Sequence, residues 1–241
     1  DNWAIEGVAR ANTKKGRHII TTAIEHHAVL HTCEHLAKQG WDVTYLPVDE
    51  HGLVTPEQVE AAIRDDTTLV TIMYANNEIG TIEPIPQIGA VCRSRGVLLH
   101  TDAVQAVGHV PISVAEQNID LLSLSAHKFH GPKGVGALYI RRGVRIENIM
   151  HGGAQERGKR PGTYNQVGIA GLGKAIEIAC ADIEGNNRRL SQLRDHMIAE
   201  ILRRIPDSRL NGHPTLCLPG NVNVSIAYIE GEGMLLHLDL A

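Results

Sequence analysis

The chain has 241 residues, 43% of them hydrophobic, enough to bury one large core and part of a second. A formal net charge of −4 leaves no basic footprint and argues against nucleic acid as a partner. No apolar stretch reaches membrane-spanning length and none has the pattern of a signal peptide, so no membrane partner is expected. The four cysteines, Cys33, Cys92, Cys180 and Cys217, are far apart and form no CxxC pair. Each lies in or near an apolar segment, so they are expected to be reduced structural thiols of a cytoplasmic protein, with Cys33, Cys92 and Cys180 inside helical apolar patterns. The sequence begins at Asp1 without methionine and stops at Ala241 inside the amphipathic run GEGMLLHLDLA, and is read as a segment of a longer chain.

Strand-like and helical runs alternate over the first 140 residues. RHIITT (17–22) is a short β-branched strand, followed by the helical stretch HHAVLHTCEHLAKQ, which Gly40 closes. WDVTYLPV is a second strand. TPEQVEAAIR opens with a capping box: Thr55 as N-cap, Pro56 at the first helical position and Gln58 three residues on. TTLVTIMYA (67–75) reads as a fully buried strand; the loop NNEIGT, a helix around IPQIGAVCRSR and the strand VLLHTDAV follow. Strands near 120–125 and 135–140 come next. From about residue 164 the pattern is helical, first YNQVGIAGLGKAIEIACADI and then an Arg-rich amphipathic helix to Arg204. A last strand, NVNVSIAYI, precedes the final helical run. Near-continuous apolar strands alternating with helices predict an α/β fold with a mainly parallel sheet covered on both faces. The alternation stops and charge density rises near residue 184, which puts a domain boundary between 1–183 and 184–241.

In open α/β sheets, ligands bind outside the carboxyl ends of the strands. The polar residues that follow each strand are therefore the candidates. The first strand is followed by Glu25, His26 and His27, the third by Asn76, Asn77 and Glu78, the fourth by Asp102 and Gln105, and the fifth by Ser125, His127 and Lys128. Each alone is more commonly a turn former or helix cap than a catalyst. Their convergence on one edge carries the weight. A lysine directly after a buried strand, flanked by histidines, is either a rim charge or an amine tuned to attack a carbonyl. An aspartate at a buried strand end suits the protonated ring nitrogen of a pyridoxal electron sink. Ser125 and His127 offer donors for a phosphate, and His26 a ring that can stack and move protons.

Three other motifs have simpler readings. His27, His31 and His35 recur every four residues, which would suit a metal stripe, but they lie opposite Val29, Leu30, Cys33, Leu36 and Ala37 and so read as the outer face of an amphipathic helix. GPKGVG lacks Walker spacing and precedes a strand, so it reads as a hairpin-like turn. HGGAQERGKRPGT (151–163) is too polar for a core element and is either a surface loop or one that reaches a ligand.

EHHAVL, ANNEIGT, HTDAVQAVG, SAHKFHGPKGVGALY and HGGAQERGKRPGT, in that order, resemble the NifS/IscS-type cysteine desulfurases of the class V aminotransferase-like group, pyridoxal-phosphate fold type I, and the resemblance runs from Asp1 to Ala241. It implies a large domain built on a seven-stranded-type sheet and part of a smaller α+β C-terminal domain. It also implies that Lys128 binds pyridoxal 5′-phosphate as a Schiff base, that Asp102 pairs with the ring nitrogen, and that Gln105 bonds the ring hydroxyl. His26 would stack on the ring and share in proton transfer, Asn77 would lie near the ring hydroxyl and the substrate, and Ser125 and His127 would hold the phosphate. Thr163 would reach the phosphate of a neighbouring subunit, which makes a homodimer. The activity implied is release of sulfur from L-cysteine as a protein-bound persulfide, leaving L-alanine. A sulfur acceptor or cluster-scaffold protein would take the sulfur for iron–sulfur cluster or thio-cofactor assembly. The phosphate-binding turn of the family would precede Asp1 and the persulfide-forming cysteine loop would follow Ala241. None of the four cysteines matches that loop, so the segment alone is expected not to transfer sulfur. Selenocysteine lyase, another class V lyase or aminotransferase, and a non-catalytic cofactor-binding segment are the alternatives.

Overall fold

A computed structural model describes residues 1–240. Six strands make the main sheet: β1 (His18–Thr22), β2 (Asp42–Leu46), β3 (Thr67–Thr71), β4 (Leu98–Asp102), β5 (Leu121–Ser125) and β6 (Gly136–Ile140), in the order β2-β1-β3-β4-β5-β6. The first five are parallel, and β6 runs antiparallel to β5 with Ser125 opposite Gly136. The mainly parallel, helix-covered sheet expected from the sequence is therefore present, and GPKGVG forms the turn between its antiparallel pair.

Alternate residues of each strand feed two cores, as the two-residue period requires. Ile19, Leu69 and Leu121 point to one face, where α1 (Asn2–Ala11) and α2 (His27–Lys38) cover them with Ile5, Val8, Val29, Cys33 and Leu36. Ile20, Val70 and Leu122 point to the other, against Val59 of α3 (Pro56–Ala62) and Ile85, Ile88 and Cys92 of α4 (Ile85–Ser94). Burial of each such aliphatic side chain contributes roughly 1.5–3 kcal/mol. The capping box of α3 forms as expected: Thr55 Oγ1 accepts from Gln58 N–H at 3.2 Å and Gln58 Oε1 accepts from Thr55 N–H at 2.8 Å.

The sequence pattern misses α1 and the short β7 (Ser208–Leu210), which pairs antiparallel with β8 (Val224–Ile226). A four-residue turn, α5 (Gln155–Gly158), interrupts the polar loop; Glu156 and Arg157 have φ of 49° and 60°. After it, α6 (Gln166–Ala181) and α7 (Ile183–Arg204) meet at Asp182, next to the expected boundary, and α8 (Gly231–Asp239) ends the described chain. Only Gly168 of α6 is buried, while Val167 is 84% and Ile178 62% exposed. Cys180 on α6 is also exposed. This corrects the expectation of a buried thiol, because α6 is apolar around most of its circumference and its periodicity does not single out a core face.

Candidate active site

The strand order dictates the site. After β2 the chain crosses back over β1 and lays β3 on its far side, so the connections leave β1 and β3 in opposite directions at a topological switch point. A cleft of about 450 Å³ opens there, lined by Ile24–His27 and Asn76–Ile79. The exits of β3, β4 and β5 follow side by side. His26, Asn77, Asp102 and Lys128 thus leave four adjacent parallel strands at one edge, as the sequence predicts. At about 4.8 Å per strand, the exits of β1 and β5 lie roughly 14 Å apart. A ligand served by both must lie along the edge, across Asp102.

His26 is the N-cap of α2, with Nδ1 accepting from Ala28 N–H at 3.1 Å. In the neutral ring the proton therefore sits on Nε2. Asn77 is exposed at the tip of a loop shaped by its neighbour: Asn76 Oδ1 accepts from the N–H groups of Glu78 at 2.8 Å and Ile79 at 2.9 Å. The loop is also tied to the C-terminal region, since Asn221 and Asn223 both donate Nδ2–H to Glu78 O and Leu218 N–H donates to Gly80 O.

Asp102 is 6% exposed, and its Oδ1 accepts from Val104 N–H at 2.9 Å. Among the described residues no donor reaches Oδ2. Burial holds the carboxyl above the usual aspartate range; the Val104 N–H and the charges of His26 and Lys128 pull the other way. Gln105, three residues on, is half-buried.

Beneath Asp102, His100 is fully buried and bridges three strands, with Nδ1 2.8 Å from Thr71 Oγ1 and Nε2 2.9 Å from Ser123 Oγ. Burial holds the imidazole well below its ordinary pKa, which favours the neutral ring. No local motif singles out this histidine, although strand alternation places it on the Asp102 face.

Ser125 ends β5, and Ala126–Phe129 form a single 3-10 turn that presents His127 and Lys128 at the surface while Phe129 is buried. Ser125 Oγ and His127 Nδ1 are 2.9 Å apart. Thr163 is exposed on the 151–165 loop, and with Ser125, Ser123 and Asp1 it lines a second cleft of about 690 Å³. Of the predicted residues, His26 and Asn77 line the switch-point cleft and Ser125 and Thr163 the larger one, while Asp102, Gln105, His127 and Lys128 line neither. His27, His31 and His35 are exposed on α2, with the His27 and His31 rings stacked at 5.0 Å. That is the outer face that the helical pattern predicts.

The donor set suits pyridoxal phosphate. It holds a buried carboxylate with one open oxygen, an amine on the adjacent exit, and a hydroxyl and imidazole beside that amine.

The aminotransferase class-V family profile matches residues 1–241. Over 239 residues the chain is 62% identical to the cysteine desulfurase IscS of Methanosarcina thermophila, which covers 99% of this chain and 59% of that protein. With the cysteine desulfurase IscS of Clostridium botulinum it shares 60% identity over 242 residues, 100% of this chain and 61% of that protein. The chain therefore spans about three fifths of the length of these curated relatives. Among solved structures, a NifS-like protein aligns with a TM-score of 0.94 at 41% identity, over 99% of this chain and 65% of that one. SspA in complex with cysteine aligns with a TM-score of 0.82 at 38% identity, over 99% and 66% respectively. A profile matched from first residue to last, on a fold that superimposes this closely, settles the family: the chain belongs to the class-V aminotransferases.

Proposed function

We propose that the protein carrying this chain is a pyridoxal-phosphate-dependent cysteine desulfurase. It acts as a cytoplasmic homodimer that converts L-cysteine to L-alanine and passes the sulfur, as a persulfide, to an acceptor or cluster-scaffold protein. The observation that carries this reading is Lys128 on the strand exit next to a buried Asp102 with one carboxylate oxygen open. The relatives support the substrate: two are named cysteine desulfurase IscS, and SspA was captured with cysteine. Residues 1–183 are assigned to the cofactor-binding domain and 184–241 to the start of a smaller one, a division supported by the α6–α7 junction at Asp182.

Lys128 Nζ would hold the cofactor covalently and would move a proton at the substrate α-carbon. Asp102 Oδ2 would accept from the ring N–H, with Gln105 and Asn77 toward the ring hydroxyl. Ser125 and His127 would bind the phosphate together with Thr163 of a neighbouring subunit. His26 would stack on the ring and exchange protons through Nε2. When bound, pyridoxal phosphate supplies the electron sink that these residues orient. Desulfuration breaks the carbon–sulfur bond of cysteine as an enzyme thiolate takes the sulfur, and the carbon is protonated to give alanine. Burial pushes the thiols of Cys33 and Cys92 up to about 12 and raises Cys217 as well, so none of the three is a good nucleophile at neutral pH. The sulfur-carrying thiol is assigned to a residue other than these.

The test uses the full-length protein. It should carry the visible absorbance of a lysine-bound cofactor, and borohydride reduction followed by peptide mapping should put the label on Lys128. Lys128→Ala should abolish both. A label on Lys133 would overturn the site assignment, and turnover of selenocysteine without cysteine would favour a selenocysteine lyase.

A further inference from the structure

The turn that carries His26 has no strand to rest on. β1 ends at Thr22, whereas the β3 chain continues to pair with β4 beyond Thr71: Ile72 N–H donates to His100 O at 3.2 Å and Tyr74 N–H to Asp102 O at 2.8 Å. Met73 N–H, between them, faces the side that β1 has left. It donates instead to the Glu25 carboxyl, 3.1 Å from Oε1 and 3.0 Å from Oε2. Thr22 Oγ1 donates to Glu25 Oε1 at 2.7 Å. The side chain of Glu25 thus replaces a missing ladder position in the sheet and closes the turn on itself. From the opposite side, Asn76 Nδ2 donates to Ile24 O at 3.0 Å, one residue earlier in the same turn. Two side chains, one from each exit, therefore bridge the two loops in opposite directions. Glu25 is 5% and Asn76 6% exposed, while the residues that follow them, His26 and Asn77, are exposed in the switch-point cleft.

We propose that Glu25 and Asn76 are positioning residues: together they lock the exits of β1 and β3 into one rigid unit, so that His26 and Asn77 hold a fixed relation to each other and to the rest of the edge. The proposal rests on the functional reading above only in assigning that relation to a cysteine desulfurase. The clamp itself is a property of the apo fold. Glu25 suits this role because its carboxyl can take hydrogen bonds from both a strand amide and a hydroxyl. A glutamine can reproduce both contacts, with its carbonyl accepting from Met73 N–H and its amide donating to Thr22 Oγ1. An alanine reproduces neither. A displacement of about 1 Å at a reacting group is enough to cost about 100-fold in rate.

The experiment compares Glu25→Ala, Glu25→Gln and Thr22→Val in the full-length protein. The first readout is the rate of carbethoxylation of His26 by diethyl pyrocarbonate, measured by peptide mass relative to His27 and His31, which share its helix and serve as internal controls. The second is kcat and KM for cysteine. Glu25→Ala should change the His26 ratio by about threefold or more and lower kcat by roughly 10- to 100-fold with little change in KM, whereas Glu25→Gln should restore most of both. A folded Glu25→Ala protein with an unchanged His26 ratio and unchanged kcat would overturn the proposal, as would a Glu25→Gln protein as impaired as the alanine variant. If Glu25→Ala does not fold, the near-isosteric Thr22→Val should shift the His26 ratio in the same direction, and no shift there rejects the clamp. If the unsubstituted protein neither holds the cofactor nor forms alanine, the functional reading fails, and the carbethoxylation ratio still decides the inference.

Discussion

Glu83 is 2% exposed; its Oε2 accepts from Val54 N–H at 3.1 Å and its Oε1 has no partner among the described residues. Burial pushes its carboxyl up to about 8, and that of Glu25 to the same region, from an ordinary value of 4.5. Between pH 4.5 and 8 the folded protein keeps protons that the unfolded chain has released. The stabilising contribution of these groups is therefore complete below pH 4.5, shrinks as pH rises through the window, and is lost above about pH 8. Glu83→Gln keeps the acceptor for Val54 and removes the titration. From pH 5 to pH 8, urea denaturation should show the parent losing on the order of 1–3 kcal/mol more stability than the variant. Parallel pH curves for the two proteins would reject this account. Asp102→Asn tests the buried carboxyl at the end of β4. It should retain the covalently held cofactor but lose roughly 100-fold or more in cysteine turnover, because a neutral partner no longer favours a protonated ring nitrogen. Near-normal turnover would show that the proton on the ring does not depend on Asp102.

At the scale of elements, the capping box of α3 and the loop at Gly80 give two further tests. Thr55→Ala removes the hydroxyl that accepts from Gln58 N–H and should cost about 1 kcal/mol, read as a lower urea midpoint with unchanged slope. Gly80 has φ of +76°, and a Cβ there would lie 2.7 Å from Asn221, so Gly80→Ala should strain the loop that carries Asn77 and lower stability by about 1 kcal/mol or more. A raised KM for cysteine together with a lower melting temperature is the expected signature, and an unchanged KM would contradict it. These two elements also show what can be read from sequence. The capping box was legible because Thr55, Pro56 and Gln58 are local and chemically specific. The edge that carries His26, Asn77, Asp102 and Lys128 was legible because buried parallel strands look continuous and their polar ends stand out. The helix α1 is not singled out because NWAIEGVARA has no acidic residue in its first turn to announce it. The three residues of β7 are too few to show any period. Glu25 stands among the strand-end candidates, but its role, like that of His100, is not legible for another reason. Their partners, Met73 and Ser123, lie far along the chain, and no local pattern announces a hydrogen bond across strands.

For the whole molecule, the exposure of Val167, Ile178, Leu193 and Met197 along α6 and α7 is the feature least compatible with a chain alone in water. The full-length protein is expected to sediment as a dimer at working concentration, and a monomer with cofactor fully bound would refute the shared-site arrangement. The strand order has a further consequence, for folding kinetics. The β5–β6 pair joins Leu121 to Ile140, a short separation along the chain, whereas the β1–β3 pair joins His18 to Thr67, more than twice as far. Loop-closure entropy rises with that separation, at about 0.6 kcal/mol per doubling, and non-local parallel pairing is intrinsically slow. The hairpin that bears Lys128 can therefore form early from nearby sequence, while the switch-point cleft must wait for a distant strand. In pulsed hydrogen exchange during refolding, the amides of β5 and β6 should gain protection before those shared by β1 and β3. The turn that bears Lys128 would then be in place before His26, which leaves the same edge.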